Sequence, residues 1–303
     1  MTTTNESPKW SDFPRYPVVA GTILLAVGVT LAWWAKVDIS ILFETAYIRR
    51  GQLWRLVTNI FPHLDILHLV FNVWWLWIFG TKVESALGHA KTALLVLLLA
   101  VGSGSFDFAF SHGGVGLSGV GYGFFGLLWV LSKNDARFQN ALEPRTTSLF
   151  VGWFFLCILT TVTGVYPVAN VAHGAGAVFG AIVGYAVSAP RYRLFFMTAT
   201  GLLLAFGVVA ATFLRPYVNL TRTEGYEEGR WGYDALLAKR DREAIRWLRD
   251  AVRYQPKTHE LWYDLGIAYQ RVGDYTAARN AYRKAHELAP ADQQYSDSLK
   301  ELE

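Results

Sequence analysis

The chain has 303 residues, of which 52% are hydrophobic and 17% charged. That balance excludes an ordinary soluble domain of this size and points to a membrane protein, in which the net charge of +4 marks cytoplasmic loops rather than a nucleic-acid surface. The one cysteine, Cys157, excludes an intramolecular disulfide.

Residues 1–17 form a polar tail with no signal-peptide cleavage pattern. Seven apolar runs follow, at 18–34, 67–80, 92–110, 118–132, 148–163, 168–188 and 194–214. A helix crosses the bilayer core with about 20 residues, so the second, fourth and fifth runs look short. Lys9, Arg15, Lys82, Lys91, Lys133, Arg137, Arg145, Arg191 and Arg193 fall on one side of these spans. Residues 111–117 and 164–167, on the other side, carry no Lys or Arg. The bias places the N-terminus in the cytoplasm, and seven spans then place the C-terminal region outside it. The segment 36–65 breaks the pattern with Lys36, Arg49, Arg50 and Arg55. Its Trp54, Leu56, Ile60 and Phe61 make it amphipathic, as expected of a segment lying in the interface.

The charged C-terminal part has an internal period. Residues 261–290 space Trp262, Leu265, Gly266, Tyr269, Ala278, Tyr282, Ala285 and Pro290 as a tetratricopeptide unit does. Pro256 stands one such period before Pro290, and residues 224–256 fit the template more loosely through Trp231, Gly232, Ala244 and Ala251. A capping helix is expected after Ala291.

Polar groups inside spans are costly and mark functional sites. His68 and Asn72 lie four residues apart on one face of the second span; Ser118 and Tyr122 do the same on the fourth; His173 stands on the sixth, close to Asn170. Counting about 1.5 Å per residue from the cytoplasmic ends places Ser118, His68 and His173 at one depth, roughly 21 to 24 Å up. Gly119 and Gly123 on the fourth span, and Gly176, Gly180 and Gly184 on the sixth, make faces that let two helix backbones approach closely. Gly113, Gly114 and Gly116 let the preceding loop turn sharply into Ser118, at a helix N-terminus with unpaired N–H groups.

This constellation suits acyl transfer. Ser118 is the expected nucleophile and His173 its general base; the N–H groups near Leu117 and Ser118, with His68 and Asn72, are the expected oxyanion donors, and Tyr122 supports the histidine ring. No buried aspartate is placed to orient His173, so a dyad is expected. "GLSGV" is not the GxSxG elbow of soluble hydrolases. Asp107 is alone near the outer end of the third span, His63 and His89 stand apart, His112 has an ordinary loop role, and Glu84 braces the cytoplasmic end of the second span. No metal and no cofactor are expected.

Residues 45 to 190 resemble the rhomboid intramembrane serine proteases. "HLDILHLVFN" (63–72) looks like the family's second-span signature, "GLSG" (116–119) its nucleophile motif and "ANVAHGAG" (169–176) its histidine motif. "LWR" (53–55) resembles the interfacial loop and "VESALG" (83–88) the end of the second span. The resemblance implies an all-α polytopic helix bundle with six core spans at 18–190, a seventh at 191–215 and a tetratricopeptide domain at 222–303. It implies a serine endopeptidase that cuts transmembrane proteins near the outer side of the bilayer, with Ser118 and His173 as the dyad. His68 and Asn72 then assist the oxyanion. The expected setting is a bacterial cell (inner) membrane, with lipids and transmembrane substrates as partners, a protein partner for the repeats and no nucleic acid. The alternative is an inactive relative that holds membrane clients.

Overall fold

The computed structural model describes residues 9–221 and 223–302; residues 1–8 of the expected tail lie outside them. The chain divides into two units, 1–221 and 222–303. All regular elements among the described residues are helical.

Unit one contains α1 (Pro17–Trp34), α2 (Ile66–Leu87), α3 (His89–Phe110), α4 (Ser118–Asn134), α5 (Pro144–Val162), α6 (Asn170–Ser188) and α7 (Arg193–Val209). Proline opens α1 and α5 at the first position, where its missing N–H is harmless. Helix α7 runs on through a π-helical turn, Ala210–Leu214, to a last turn at Arg215–Val218. Pro216 accounts for the irregularity: its ring cannot tolerate the regular approach of the carbonyl four residues earlier. Counting α7 with its extension, six of these helices are long and apolar enough to cross a membrane. The exception, α4, has 17 residues and is enclosed by the others, with Gly119 to Leu128 all buried.

The second span is longer than the sequence suggested. Helix α2 has 22 residues and continues through Lys82 and Glu84 to Leu87. Both charges are satisfied inside the fold. Lys82 Nζ donates to the Ala141 carbonyl at 2.8 Å, and the Glu84 carboxylate accepts from the Val18 and Val19 N–H groups, each at 3.0 Å. Glu84 thereby braces the start of α1. Gly88, at φ +84°, is the whole connection to α3.

The α4–α6 contact is the tightest in the unit. A Cβ on Gly176 would strike the Gly119 carbonyl, one on Gly180 the Gly123 carbonyl, and one on Gly126 the Ala177 carbonyl. Backbone therefore packs directly on backbone, the arrangement that small residues permit between membrane helices. Helix α5 is the opposite case. Only Phe150 and Cys157 of it are buried, and Leu149, Phe155, Leu159 and Val162 are exposed.

Unit two is a right-sized set of helical hairpins: α8 (Tyr226–Leu237) with α9 (Asp241–Tyr254), α10 (His259–Arg271) with α11 (Tyr275–Leu288), and α12 (Gln293–Lys300) after them. Ala235, Leu236, Ala244, Leu248, Leu265, Ala268 and Ala281 form its core. The small residues of the repeat pattern are where helices meet: Gly232 faces Leu248, Gly266 faces the Tyr282 ring, and Ala278 and Ala285 are fully buried. The Trp262 indole donates to the Pro256 carbonyl at 2.9 Å and ties the second hairpin to the turn before it.

Candidate active site

Ser118 is the first residue of α4, and the loop before it is shaped by glycine. Gly116 has φ +105°, and a Cβ there would lie 2.8 Å from the His68 ring. Both its conformation and its neighbour demand glycine. The Gly116 N–H donates to the Asn59 carbonyl at 3.0 Å and the Gly114 N–H to Glu44 Oε2 at 3.1 Å. The loop is thus fixed by groups from the 36–65 segment.

One cavity of about 1360 Å³ collects the site. Ser118, Tyr122, His173, His68 and Asn72 all line it, from helices α4, α6 and α2. His173 is 3% exposed, and its ring stacks on Tyr122 with centroids 4.5 Å apart and planes 25° apart. Tyr122 is itself held from α5, its hydroxyl donating to the Phe150 carbonyl at 3.3 Å. Among the described residues His173 Nδ1 has no hydrogen-bond partner, and Ser118 and His173 share the cavity without a hydrogen bond between them. Such bonds are often open before substrate arrives.

The Asn72 amide donates to the His68 carbonyl at 2.9 Å, which leaves its second hydrogen for another acceptor. The Leu64 N–H points at His68 Nδ1 at 3.5 Å. That places the imidazole proton on Nε2, as a donor. Leu117 departs from expectation. Its N–H donates to His63 Nε2 at 3.3 Å and its side chain is buried. The Leu117 amide is therefore engaged, and the first helical hydrogen bond of α4 is the one from the Gly121 N–H to the Leu117 carbonyl. Asn170 also stands aside: its amide donates to Thr161 Oγ1 at 2.8 Å and anchors the start of α6.

His63 is the residue that the sequence did not single out for the site. It is wholly buried, with Nδ1 2.9 Å from the Phe61 carbonyl. A carbonyl only accepts, so Nδ1 carries the proton and Nε2 is the acceptor for Leu117. Burial, aided by His68, pushes its pKa down to about 3, so it is neutral at every ordinary pH. It packs edge-on against His68 at 4.8 Å. His63 thus locks the residue before Ser118 and supports the face of His68. Only its partner, a backbone group 54 residues away, reveals the role.

The cavity lies between α2 and α5. Those helices meet there through rings, Phe71 on Trp153 at 4.8 Å and Trp75 against Phe150 at 4.8 Å. At the mouth, the Tyr166 hydroxyl donates to Asp65 Oδ2 at 2.6 Å, joining the α5–α6 loop to the N-cap of α2. The bonds from the Tyr166 hydroxyl and the His68 N–H hold Asp65 below the usual carboxylate range, and burial with the hydroxyl bond pushes Tyr166 up to about 12. His112 lies at this rim as well.

Residues 50–190 match the rhomboid domain family model, and residues 259–292 match the tetratricopeptide repeat model. The chain is 27% identical over 174 residues to the rhomboid protease GlpG of Yersinia pseudotuberculosis, 28% to that of Yersinia pestis and 30% to that of Serratia proteamaculans. Each match covers 56% of this chain and 62% of the relative. Residues 50–190 are thus similar to rhomboid domains, within an all-α chain whose apolar helices are those of a polytopic membrane bundle, and a segment similar to a tetratricopeptide repeat follows.

Proposed function

We propose that residues 50–190 form a rhomboid domain that is an intramembrane serine endopeptidase acting on transmembrane proteins. The carrying observation is the convergence of Ser118, His173, Tyr122, His68 and Asn72 from three helices on one cavity between α2 and α5. The relatives, named as rhomboid proteases, support the same reading.

In this mechanism Ser118 Oγ attacks the carbonyl carbon of a peptide bond while its proton passes to His173. The carbonyl oxygen becomes an oxyanion. The His68 Nε2–H, the free Asn72 amide hydrogen and the Ser118 N–H stabilise it. His173 then gives its proton to the departing amine, leaving an acyl ester on Ser118. A water molecule, deprotonated by His173, attacks that ester; as the bond to Ser118 Oγ breaks, His173 returns the proton to that oxygen and the new carboxyl terminus is released. Stacking on Tyr122 fixes the plane of the imidazole through both proton transfers. A peptide segment enters between α2 and α5, where side-chain rings rather than packed backbone separate the cavity from lipid.

The N-terminus lies in the cytoplasm, as the Lys and Arg distribution favours, and the site opens toward the opposite face of a bacterial cell membrane. The repeat unit lies on that outer face and captures a protein partner, since it offers a helical-hairpin scaffold and no nucleophile–base pair that the sequence reveals. No metal or nucleic acid takes part.

The test is cleavage of a transmembrane reporter by purified protein. Ser118→Ala and His173→Ala should each abolish product while leaving the melting temperature within a few degrees. Product from Ser118→Ala removes the mechanism. A wild-type protein that binds such reporters without cutting them would instead be the client-holding alternative.

A further inference from the structure

Beside the loop that precedes Ser118, three ionisable side chains from distant parts of unit one are buried close together, and one of them, Glu44, also lines the cavity. Glu44 comes from the segment before α2, Asp107 from α3, and Arg215 from the turn that ends α7. They are 8%, 1% and 7% exposed. Ile48, Leu56, Phe108, Ala109, Ala210 and Ala211 form a buried apolar cluster that includes the Phe108 ring under Arg215. Burying three ionisable groups is costly unless each is paired or hydrogen-bonded, so the arrangement calls for a use.

The bonds these groups make supply it. Glu44 Oε2 accepts from the Gly114 N–H, four residues before Ser118, at 3.1 Å. Asp107 Oδ1 accepts from the Ala172 N–H, the residue before His173, at 3.3 Å. Each carboxyl group therefore holds the backbone next to one member of the dyad. Glycine makes room for both. A Cβ on Gly104 would lie 2.7 Å from Glu44 Oε1, one on Gly113 3.0 Å from Glu44 Oε2, and one on Gly114 3.0 Å from Asp107 Oδ2.

Arg215 is the cation of the group. It donates from Nη1 to the Phe108 carbonyl at 2.7 Å and lies over the Phe108 ring at 3.7 Å. Its charge acts on both carboxyl groups. One cation faces two acids. Burial first, then Asp107, pushes Glu44 well above the usual carboxylate range, against the opposing pull of the Gly114 N–H and Arg215. The π-helical turn at Ala210–Leu214 stands directly before Arg215, and two buried alanines in it, Ala210 and Ala211, allow close approach to α3. Asn219 Nδ2 completes the docking with a 2.6 Å bond to the Ser111 carbonyl.

We propose that Glu44, Asp107 and Arg215 are positioning residues that hold the Ser118 loop and the His173 helix in register, and that the seventh span is part of the catalytic apparatus because it supplies the cation. This rests on the proteolytic reading above. The acids act through the Gly114 and Ala172 amides, and the balance between them is maintained from α7.

The test measures covalent labelling of Ser118 in the full chain by an alkyl fluorophosphonate, which reports on serine activation without a peptide substrate. The maximal labelling rate and the probe concentration for half-maximal rate are determined separately, with the melting temperature alongside. Glu44→Ala should lower the maximal rate about tenfold and change half-saturation less than twofold. Glu44→Gln keeps an acceptor for Gly114 and should stay within twofold of wild type. Arg215→Met should lower the maximal rate similarly. Adding Asp107→Asn to it removes the uncompensated charge, keeps an acceptor for Ala172 and should recover most of the loss. Equal rates in wild type and Glu44→Ala overturn the proposal, as does equal impairment in Glu44→Ala and Glu44→Gln. So does a fall no larger than the loss of folded protein. The Glu44 pair decides the matter even if Arg215→Met does not fold. Failure of wild-type Ser118 to react overturns the proteolytic reading and this proposal together, whereas labelled wild type with unaltered variants overturns the proposal alone.

Discussion

Gly180→Ala is the sharpest probe of the backbone contact between α4 and α6. The new Cβ would stand 2.7 Å from the Gly123 carbonyl carbon and 2.9 Å from the Leu127 nitrogen, besides striking the Gly123 oxygen. Comfortable carbon contacts are about 3.5–4.0 Å. Both obstacles are backbone, so no side chain can swing aside, and the helices must separate by about 1 Å. Overpacking of this kind costs about 1–3 kcal/mol of stability. Function suffers differently. His173 rides on the same helix, seven residues or about 10 Å from the clash. A displacement near 1 Å at the base lowers turnover about 100-fold, or about 2.7 kcal/mol of transition-state stabilisation. Gly152→Ala is the control, because nothing lies within 4 Å of a Cβ there. Reporter cleavage in liposomes, with thermal melting in parallel, measures both effects. Wild-type turnover by Gly180→Ala would show that the register of α4 and α6 does not set the dyad geometry.

Three further expectations concern the surroundings of the site. Tyr166→Phe should raise hydrogen exchange at 164–169. In wild type that protection is present above about pH 4, the ordinary carboxylate value, and is lost as the pH falls through the depressed folded-state value of Asp65; the variant should lack this acid transition. Removal of residues 222–303 should leave cleavage of a short transmembrane reporter unchanged and slow a client with a folded outer domain through weaker capture; equal loss on both would make the repeats a structural support. Reporter fusions should place the two termini on opposite sides of the membrane, and a cytoplasmic C-terminus would refute the seven-span topology.

The helical repeats, the apolar spans and the small-residue faces could be read from the sequence because each has a period. Ser118, Tyr122, His68, Asn72 and His173 were legible by the same route, as polar groups at one depth on periodic helices. What escaped was aperiodic. His63 and Glu44 lie in the irregular 36–65 segment, and their partners are single backbone N–H groups, at Leu117 and Gly114, far along the chain. Asp107 looked solitary because Glu44 and Arg215 reach it from opposite ends of the unit. Arg215 stands just beyond the last apolar run, and nothing local in the sequence announces that it is buried. The length of α2 was underread for the converse reason: Lys82 and Glu84 resemble a helix boundary until their partners in α1 and near Ala141 are known.

The ring contacts between α2 and α5 make the protein its own spectroscopic reporter. Trp153 lies flat against Phe71, with planes 25° apart, and Trp75 meets Phe150 edge-on at 85°. Neighbouring rings shift a fluorine nucleus through their ring currents, so biosynthetic 5-fluorotryptophan would give these two indoles displaced resonances. Outward movement of α5 removes Phe150 from Trp75 and carries Trp153 away from Phe71 at once. Both signals should then broaden or move together as a transmembrane peptide is titrated in. Trp247, buried in the repeat unit at 3% exposure, supplies an internal standard in the same spectrum.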